Sequence, residues 1–246
     1  MALRCDEAAF VAELIAGLTA YPRYYAHMGP ANRRGPRAPE LARPEPADPA
    51  ELRRRIEAGE WIVDLRERRA FARAHVTGTI SIEFGDSFST YLGWAIPWGA
   101  PLTLIGESPE QVAEGQLHLA RIGIDHIAGA AAGPAEALAQ EGRISTYRVA
   151  DFGALAAGWD RPGLVVLDVR RPDEWRAGHL AGAVHLPFWE VETRAAEVPA
   201  GEVWIYCASG LRASITASIL DRAGRQVVCV DDDWENAARS GLPLGP

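Results

Sequence analysis

The chain is 246 residues long, 48% hydrophobic and 24% charged, the proportions of an ordinary soluble protein with room for one large or two small domains. A net charge of −8 and a pI near 5.3 speak against nucleic acid or an anionic membrane as partner. Three widely spaced cysteines give no disulfide framework and fit a reducing cytoplasm, no apolar run approaches the roughly 18 residues of a membrane span, and Met1 to Glu7 lacks a basic-then-apolar export signal.

Residues 1–47 read as a segment apart. Ala8 to Leu18 has an amphipathic helical pattern, and Cys5 stands beside it without a visible partner. Tyr21 to Pro36 is aromatic, basic and turn-forming, and Pro39 to Pro49 holds four prolines and reads as an extended linker. His27 alone makes no metal site. Asp48 and Pro49 then suit the N-cap and first position of a helix running to Ala58.

Trp61-Ile62-Val63 reads as a short buried strand, Glu67 to Arg73 as a helix, and Thr79 to Ile82 as a strand. Leu102 to Ile105 is a strand before a helix over Pro109 to Ile122, His126-Ile127-Ala128 ends the sheet, and Gly129 to Arg143 reads as a helical connector. Further strands are expected near Tyr147–Val149, Leu164–Leu167, Ala183–Leu186, Val203–Tyr206 and Gln226–Val230, with helices between them and a last one over Asp233 to Ser240. Short apolar strands alternating with helices predict α/β architecture, a mainly parallel sheet covered on both faces.

The pattern occurs twice. An offset of 104 residues pairs Asp64-Leu65-Arg66 with Asp168-Val169-Arg170 and, without a gap, Phe71 with Trp175, His75 with His179, Gly78 with Gly182 and Phe84 with Phe188. A period this long means duplicated domains rather than a solenoid. The expected division is 1–47, 48–143 and 144–246.

The chemistry concentrates at Tyr206-Cys207-Ala208-Ser209-Gly210-Leu211-Arg212, between the apolar run Val203 to Tyr206 and the helical run Ala213 to Leu220. A cysteine on a short strand-to-helix loop faces free backbone N–H groups at the positive end of a helix, which can hold an anionic sulfur. Gly210 lets the loop curl with its amides inward, and Arg212 adds a permanent positive charge. The first copy has no such set. Matching Ser108 to Ser209 places Gly106 where Cys207 stands and Gln111 where Arg212 stands, and Glu107 and Glu110 would repel an anion.

The Cys207 loop resembles the active-site loop of the rhodanese family of sulfurtransferases. Leu164 to Arg170 is similar to the family's early strand and Asp-x-Arg turn. Glu174 with Gly178-His179-Leu180 and Gly182-Ala183 resembles its Glu…Gly-His-Ile-x-Gly-Ala segment, and Leu186-Pro187 the apolar-Pro that follows. The resemblance runs from about Tyr147 to Pro243 and implies two tandem rhodanese-like three-layer domains, the first inactive and the second catalytic. It implies that Cys207 takes a sulfane sulfur from thiosulfate or a persulfide and hands it to a thiol or cyanide, without metal or organic cofactor. Ala208, Ser209, Gly210, Leu211 and Arg212 would bind the donor, with Arg170 near the mouth.

Cysteine phosphatases of related fold carry Cys-x5-Arg, whereas Cys207 and Arg212 form the tighter Cys-x4-Arg. The loop also lacks an acid to protonate an alkoxide leaving group, so a phosphatase or arsenate reductase is the weaker alternative. A non-catalytic persulfide carrier is another. The pattern Tyr21-Pro22…Tyr24-Tyr25…Asn32-Arg33-x-Gly35-Pro36 resembles the tail of a metallo-β-lactamase-fold hydrolase where it joins tandem rhodaneses, as in iron-dependent persulfide dioxygenases. That fold's His-x-His-x-Asp-His metal cluster does not occur in this sequence. The expected partners are therefore a small anionic sulfur donor, a thiol acceptor and a separate metallo-β-lactamase-fold protein, with this chain a split or truncated product.

Other residues receive structural expectations. His179 recurs as His75, and the Asp168–Arg170 pair as Asp64–Arg66, so both belong to the fold by default. Cys229 lies in the buried strand pattern Val227 to Val230, and Asp231-Asp232-Asp233 forms a turn into a helix in place of the family's glycine-rich segment before Trp234.

Overall fold

The computed structural model describes residues 6–16, 20–35, 38–39, 41–140 and 142–245; Cys5 and the last part of the first predicted helix lie outside them. Two helices precede the repeat, α1 (Glu7–Ala16) and α2 (Tyr25–Arg34). The first half then runs α3 (Pro49–Glu57), β1 (Trp61–Asp64), α4 (Arg68–Arg73), β2 (His75–Val76), β3 (Ile80–Ser81), α5 (Phe88–Ala95), β4 (Leu102–Gly106), α6 (Pro109–Ala120), β5 (Gly129–Ala132), α7 (Ala135–Leu138) and β6 (Ile144–Ser145). The second half opens with β7 (Arg148–Ala150), α8 (Phe152–Ala157), β8 (Val165–Asp168), α9 (Pro172–Arg176), β9 (His179–Leu180) and β10 (Val184–His185). It continues through α10 (Val191–Arg194), a 3-10 turn (Ala195–Glu197), β11 (Val203–Tyr206), α11 (Leu211–Arg222), β12 (Val227–Val230), α12 (Glu235–Arg239) and β13 (Leu244–Gly245). Among the described residues no helix is long and apolar enough to cross a membrane.

The two halves share one topology. The first sheet has the order β3-β1-β4-β5 and the second β10-β8-β11-β12-β7, with every pair parallel. At the place of a fifth strand the first sheet has a single parallel bridge from Pro46 to Ala130, made by the Ala47 N–H donating to the Ala130 carbonyl and the Ala130 N–H to the Glu45 carbonyl, both at 2.8 Å. Asp48 and Asp151 cap the helices that follow, accepting from the N–H groups of Glu51 at 2.8 Å and Ala154 at 2.7 Å. Short antiparallel pairs close each half, β2 with β6 and β9 with β13.

Alternation along β11 explains the layers. Val203, Ile205 and Cys207 face a core with Ile215, Ala217 and Ile219 of α11, whereas Trp204 and Tyr206 face a second core with Phe152 and Leu155 of α8 and Ala237 of α12. This is the rhodanese-like α/β fold, mainly parallel sheets flanked by helices. The Cys207-facing core continues into the first half through Val63, Leu104, Phe88 and Leu92, so that face of the second sheet is the one that meets the first module.

Three expectations need correction. Gly129–Ala132, read as part of a helical connector, is strand β5, with His126 to Ala128 ahead of it; alanine favours helix, but pairing to β4 overrides that preference. Tyr25–Arg34, read as turn-forming, is helix α2 despite Pro30. The segment ahead of the repeat also packs against both halves: the Tyr24 ring covers Gly93, where it would collide with any Cβ, and Arg23 Nη2 donates to the Trp189 carbonyl at 2.9 Å.

Candidate active site

Cys207 follows directly on β11 and is 1% exposed. Gly210 is the N-cap of α11 in the left-handed region, with φ of 86°, a conformation that glycine adopts without steric cost. It also packs against Asp231: a Cβ at position 210 would overlap Asp231 Oδ1 and stand 2.9 Å from its Cα. Among the described residues, none of the backbone N–H groups of Ala208 to Arg212 has a hydrogen-bond partner. With the first turn of α11 they form a ring of donors able to receive an anion or a charged sulfur. The Ala208 carbonyl instead accepts from Trp234 N–H at 2.9 Å, fixing the loop to the turn after β12.

Arg212 does not bond the loop carbonyls. Its Nη1 and Nη2 donate to Glu174 Oε2 and Oε1 at 2.5 and 2.8 Å. Burial works against the guanidinium charge, but the Glu174 carboxylate outweighs it and holds Arg212 above its ordinary range. Burial likewise opposes ionisation of Glu174, and Arg212 keeps that carboxyl below its ordinary 4.5. The pair sets a nearly neutral charge beside the cysteine loop rather than a bare cation.

A cleft of about 570 Å³ opens above this pair, between the halves. Arg212, Glu174, Arg171, Phe188 and Trp189 come from the second half, and Tyr91 and Trp94 of α5 from the first. The aromatic rings interlock, with Trp94 4.5 Å from Trp189 and Tyr91 5.5 Å from Phe188. Burial pushes the Tyr91 phenol above its ordinary 10.0, and Arg212 and Cys207 are the next groups to bear on it. A larger cavity of about 820 Å³ lies in the first half beside Pro46 and Pro109. No residue of the Cys207 loop lines it, whereas the smaller cleft is walled by Arg212 at the end of that loop, with the buried Cys207 outside the lining.

The structure does not bring Arg170 to the loop. Its Nη2 donates to Asp168 Oδ2 and the Gly178 carbonyl, both at 2.7 Å, and its guanidinium lies 4.0 Å over Trp234, on the core face away from Cys207. Arg66 repeats the arrangement with Asp64 at 2.6 Å and the Ala74 carbonyl at 3.0 Å. A guanidinium spent on the same internal bonds in both halves serves the fold. His179 likewise stacks on Trp175 at 3.4 Å as His75 stacks on Phe71 at 3.9 Å. Cys229 is buried in β12, where burial pushes its thiol well above the ordinary 9.0, so it stays protonated.

The first half's loop is filled. A Cβ at Gly106 would meet Val112 Cγ2 at 2.9 Å and Gln111 Oε1 at 3.1 Å. Gln111 occupies the place of Arg212 and accepts from the Glu107 N–H at 2.8 Å, consuming a donor that an anion would need. Sequence reasoning misses the cleft walls Tyr91 and Trp94 and the part played by Asp231. Glu174 stands in a recognised motif, which is the one signal for the partner of Arg212.

Comparison with known proteins places this loop in a family setting. Residues 152–239 match the Rhodanese-like domain family. The rhodanese-like stretch therefore contains the whole β8 to α12 arrangement around Cys207. The chain is 40% identical over 62 residues to the "Putative sulfur carrier protein" of Bacillus subtilis, covering 25% of this chain and 34% of that protein. It is 32% identical over 84 residues to an HTH-type transcriptional regulator of Mycobacterium tuberculosis, covering 33% and 37% respectively. The chain thus spans little more than a third of the length of each curated relative. The crystal structure of thiosulfate sulfurtransferase from Pseudomonas aeruginosa aligns with a TM-score of 0.38 and 20% identity, covering 83% of this chain and 41% of that one.

Proposed function

We propose that the second half is a rhodanese-type sulfurtransferase that carries sulfane sulfur on Cys207 while the first half is inert. The observation that carries this reading is the ring of unpartnered N–H groups from Ala208 to Arg212 beside Cys207. The Cys207 thiolate attacks the outer sulfur of thiosulfate or of a persulfide. The new S–S bond forms as the old one breaks, and its electron pair leaves on sulfite or thiolate. The resulting Cys207 persulfide anion rests against the loop amides, which supply fixed donors where its charge lies. An acceptor thiolate or cyanide then attacks the terminal sulfur and returns the Cys207 thiolate. The scheme calls on no metal or organic cofactor.

Thiosulfate is the weaker donor in this reading, because Glu174 already neutralises Arg212 and the loop side chains Ala208, Ser209 and Leu211 carry no charge. The test is thiocyanate production from thiosulfate and from glutathione persulfide with cyanide. Turnover above a Cys207→Ser control with either donor supports the reading, and none with both overturns it.

A second reading, a persulfide carrier for a separate metallo-β-lactamase-fold oxygenase, is favoured by the likeness to the Bacillus sulfur carrier. It predicts sulfur loading of Cys207 without catalytic turnover.

A further inference from the structure

We propose that Arg68 and Arg69 of the inert half are positioning residues for the Cys207 loop, acting through Asp231. The inference rests on the sulfur-transfer reading for its kinetic consequence, though not for its geometry. Asp231 follows β12 two residues beyond Cys229, which pairs with Ile205 of β11, and so stands beside the Cys207 end of that strand. Its side chain is 2% exposed. Oδ1 lies against Gly210 and accepts from Arg68 Nε at 2.9 Å, while Oδ2 accepts from Arg69 Nε. Arg68 is itself held from behind by Glu83, through Nη1 at 2.7 Å.

The repeat shows that this clamp is no requirement of the fold. Carrying the strand pairing across the two sheets puts Ala132 at the place of Asp231, and the 104-residue offset puts Pro172 and Asp173 at the places of Arg68 and Arg69. Neither half could make the contact with a copy of itself. The acid occurs only under the reactive loop, and the two cations only in the half that faces it.

Physical need explains the combination. A buried carboxylate beside an anionic sulfur is unfavourable unless it is paired. Two guanidinium groups neutralise it and, through it, press on the one loop residue that has no side chain to resist. Gly210 sets the direction of the Gly210, Leu211 and Arg212 amides, so the inert half holds the donor ring in shape.

The test compares Arg68→Gln/Arg69→Gln with wild type and Cys207→Ser in the full chain. It reads kcat and KM for sulfur transfer, thermal midpoint, and the rate at which iodoacetamide labels Cys207, located by peptide mass. The double variant is expected to lose kcat by on the order of ten- to a hundredfold with KM within about twofold, the pattern of a misaligned site rather than weakened binding. Cys207 labelling should change in parallel, and Arg68→Lys/Arg69→Lys should restore most of the loss. Arg222→Gln is the control, since Arg222 bridges the halves to the Gly59 and Glu60 carbonyls, both at 3.2 Å, away from the loop. Wild-type kcat and labelling in the Gln pair overturn the proposal, as does an equal kcat loss in Arg222→Gln. If the Gln pair does not fold, Asp231→Asn provides the same comparison. Absence of turnover in wild type would sink the sulfur-transfer reading alone, and the labelling rates would still decide the clamp.

Discussion

Arg212 and Glu174, 38 residues apart, meet through two parallel hydrogen bonds of 2.5 and 2.8 Å at the edge of the Cys207 loop. The charge that a Cys-x4-Arg loop would be expected to offer a donor is thereby shared with a carboxylate. The pairing locks the helix-bearing loop to the start of α9 and so couples stability to the ionisation of one acid.

Glu174→Gln should therefore destabilise the protein at neutral pH by about 1–3 kcal/mol, the cost of leaving a mostly buried guanidinium without its anion. Burial alone would raise the folded-state value of Glu174, but Arg212 outweighs it and brings that value below 4.5. The pair's contribution is then complete above 4.5 and lost as pH falls through the folded value. Urea unfolding at pH 7 and in the carboxylate range should show the wild type's advantage shrinking on acidification. A constant difference would contradict the coupling.

Gly210→Ala meets two penalties, a φ of 86° and a Cβ that overlaps Asp231 Oδ1. A loss of about 1–3 kcal/mol is expected from backbone strain, accompanied by a fall in transfer rate. Equilibrium unfolding and turnover measured on one preparation check it. Wild-type stability and rate would show that the loop is not held as described.

Restoring the missing pair in the first half, by Gly106→Cys with Gln111→Arg in a Cys207→Ser background, should not create a second sulfur site. Val112 stands 2.9 Å from the new Cβ position, and the backbone there starts α6 at Pro109 rather than at a left-handed glycine. Intact mass after donor treatment should show no sulfur added at position 106, whereas loading would mean that the inert loop is merely vacant.

Much of this is legible in the sequence because it is written locally. The 104-residue offset locates both Asp-x-Arg turns and both histidines, and the alternation around Val203 to Tyr206 marks the strand that delivers Cys207. What escapes depends on distant partners. Arg68 and Asp231 are 163 residues apart, and Tyr91 reaches the cleft only because the halves pack with α5 over Phe188. Arg170 departs from its expected place at the mouth for a related reason: its motif spacing is local, but which face of the sheet it occupies is set by Trp234 and Tyr206. Gly129–Ala132 has helix-forming composition, and only its place beside β4 makes it a strand.

The placement of Cys229 beside Ile205 makes it the one other described cysteine near the site. Its thiol, pushed upward by burial, should remain unlabelled by iodoacetamide in the folded protein, and Cys229→Ser should leave transfer within about twofold of wild type while costing about 1–2 kcal/mol for a buried hydroxyl. Loss of transfer on that substitution would require a resolving role for Cys229.

The central claim, that Cys207 is where sulfur is held, is tested most directly by intact mass after treatment with glutathione persulfide. The account predicts a gain of about one sulfur atom that cyanide removes, that persists in Cys229→Ser and that disappears in Cys207→Ser. Retention of the added, cyanide-labile sulfur by Cys207→Ser would contradict it.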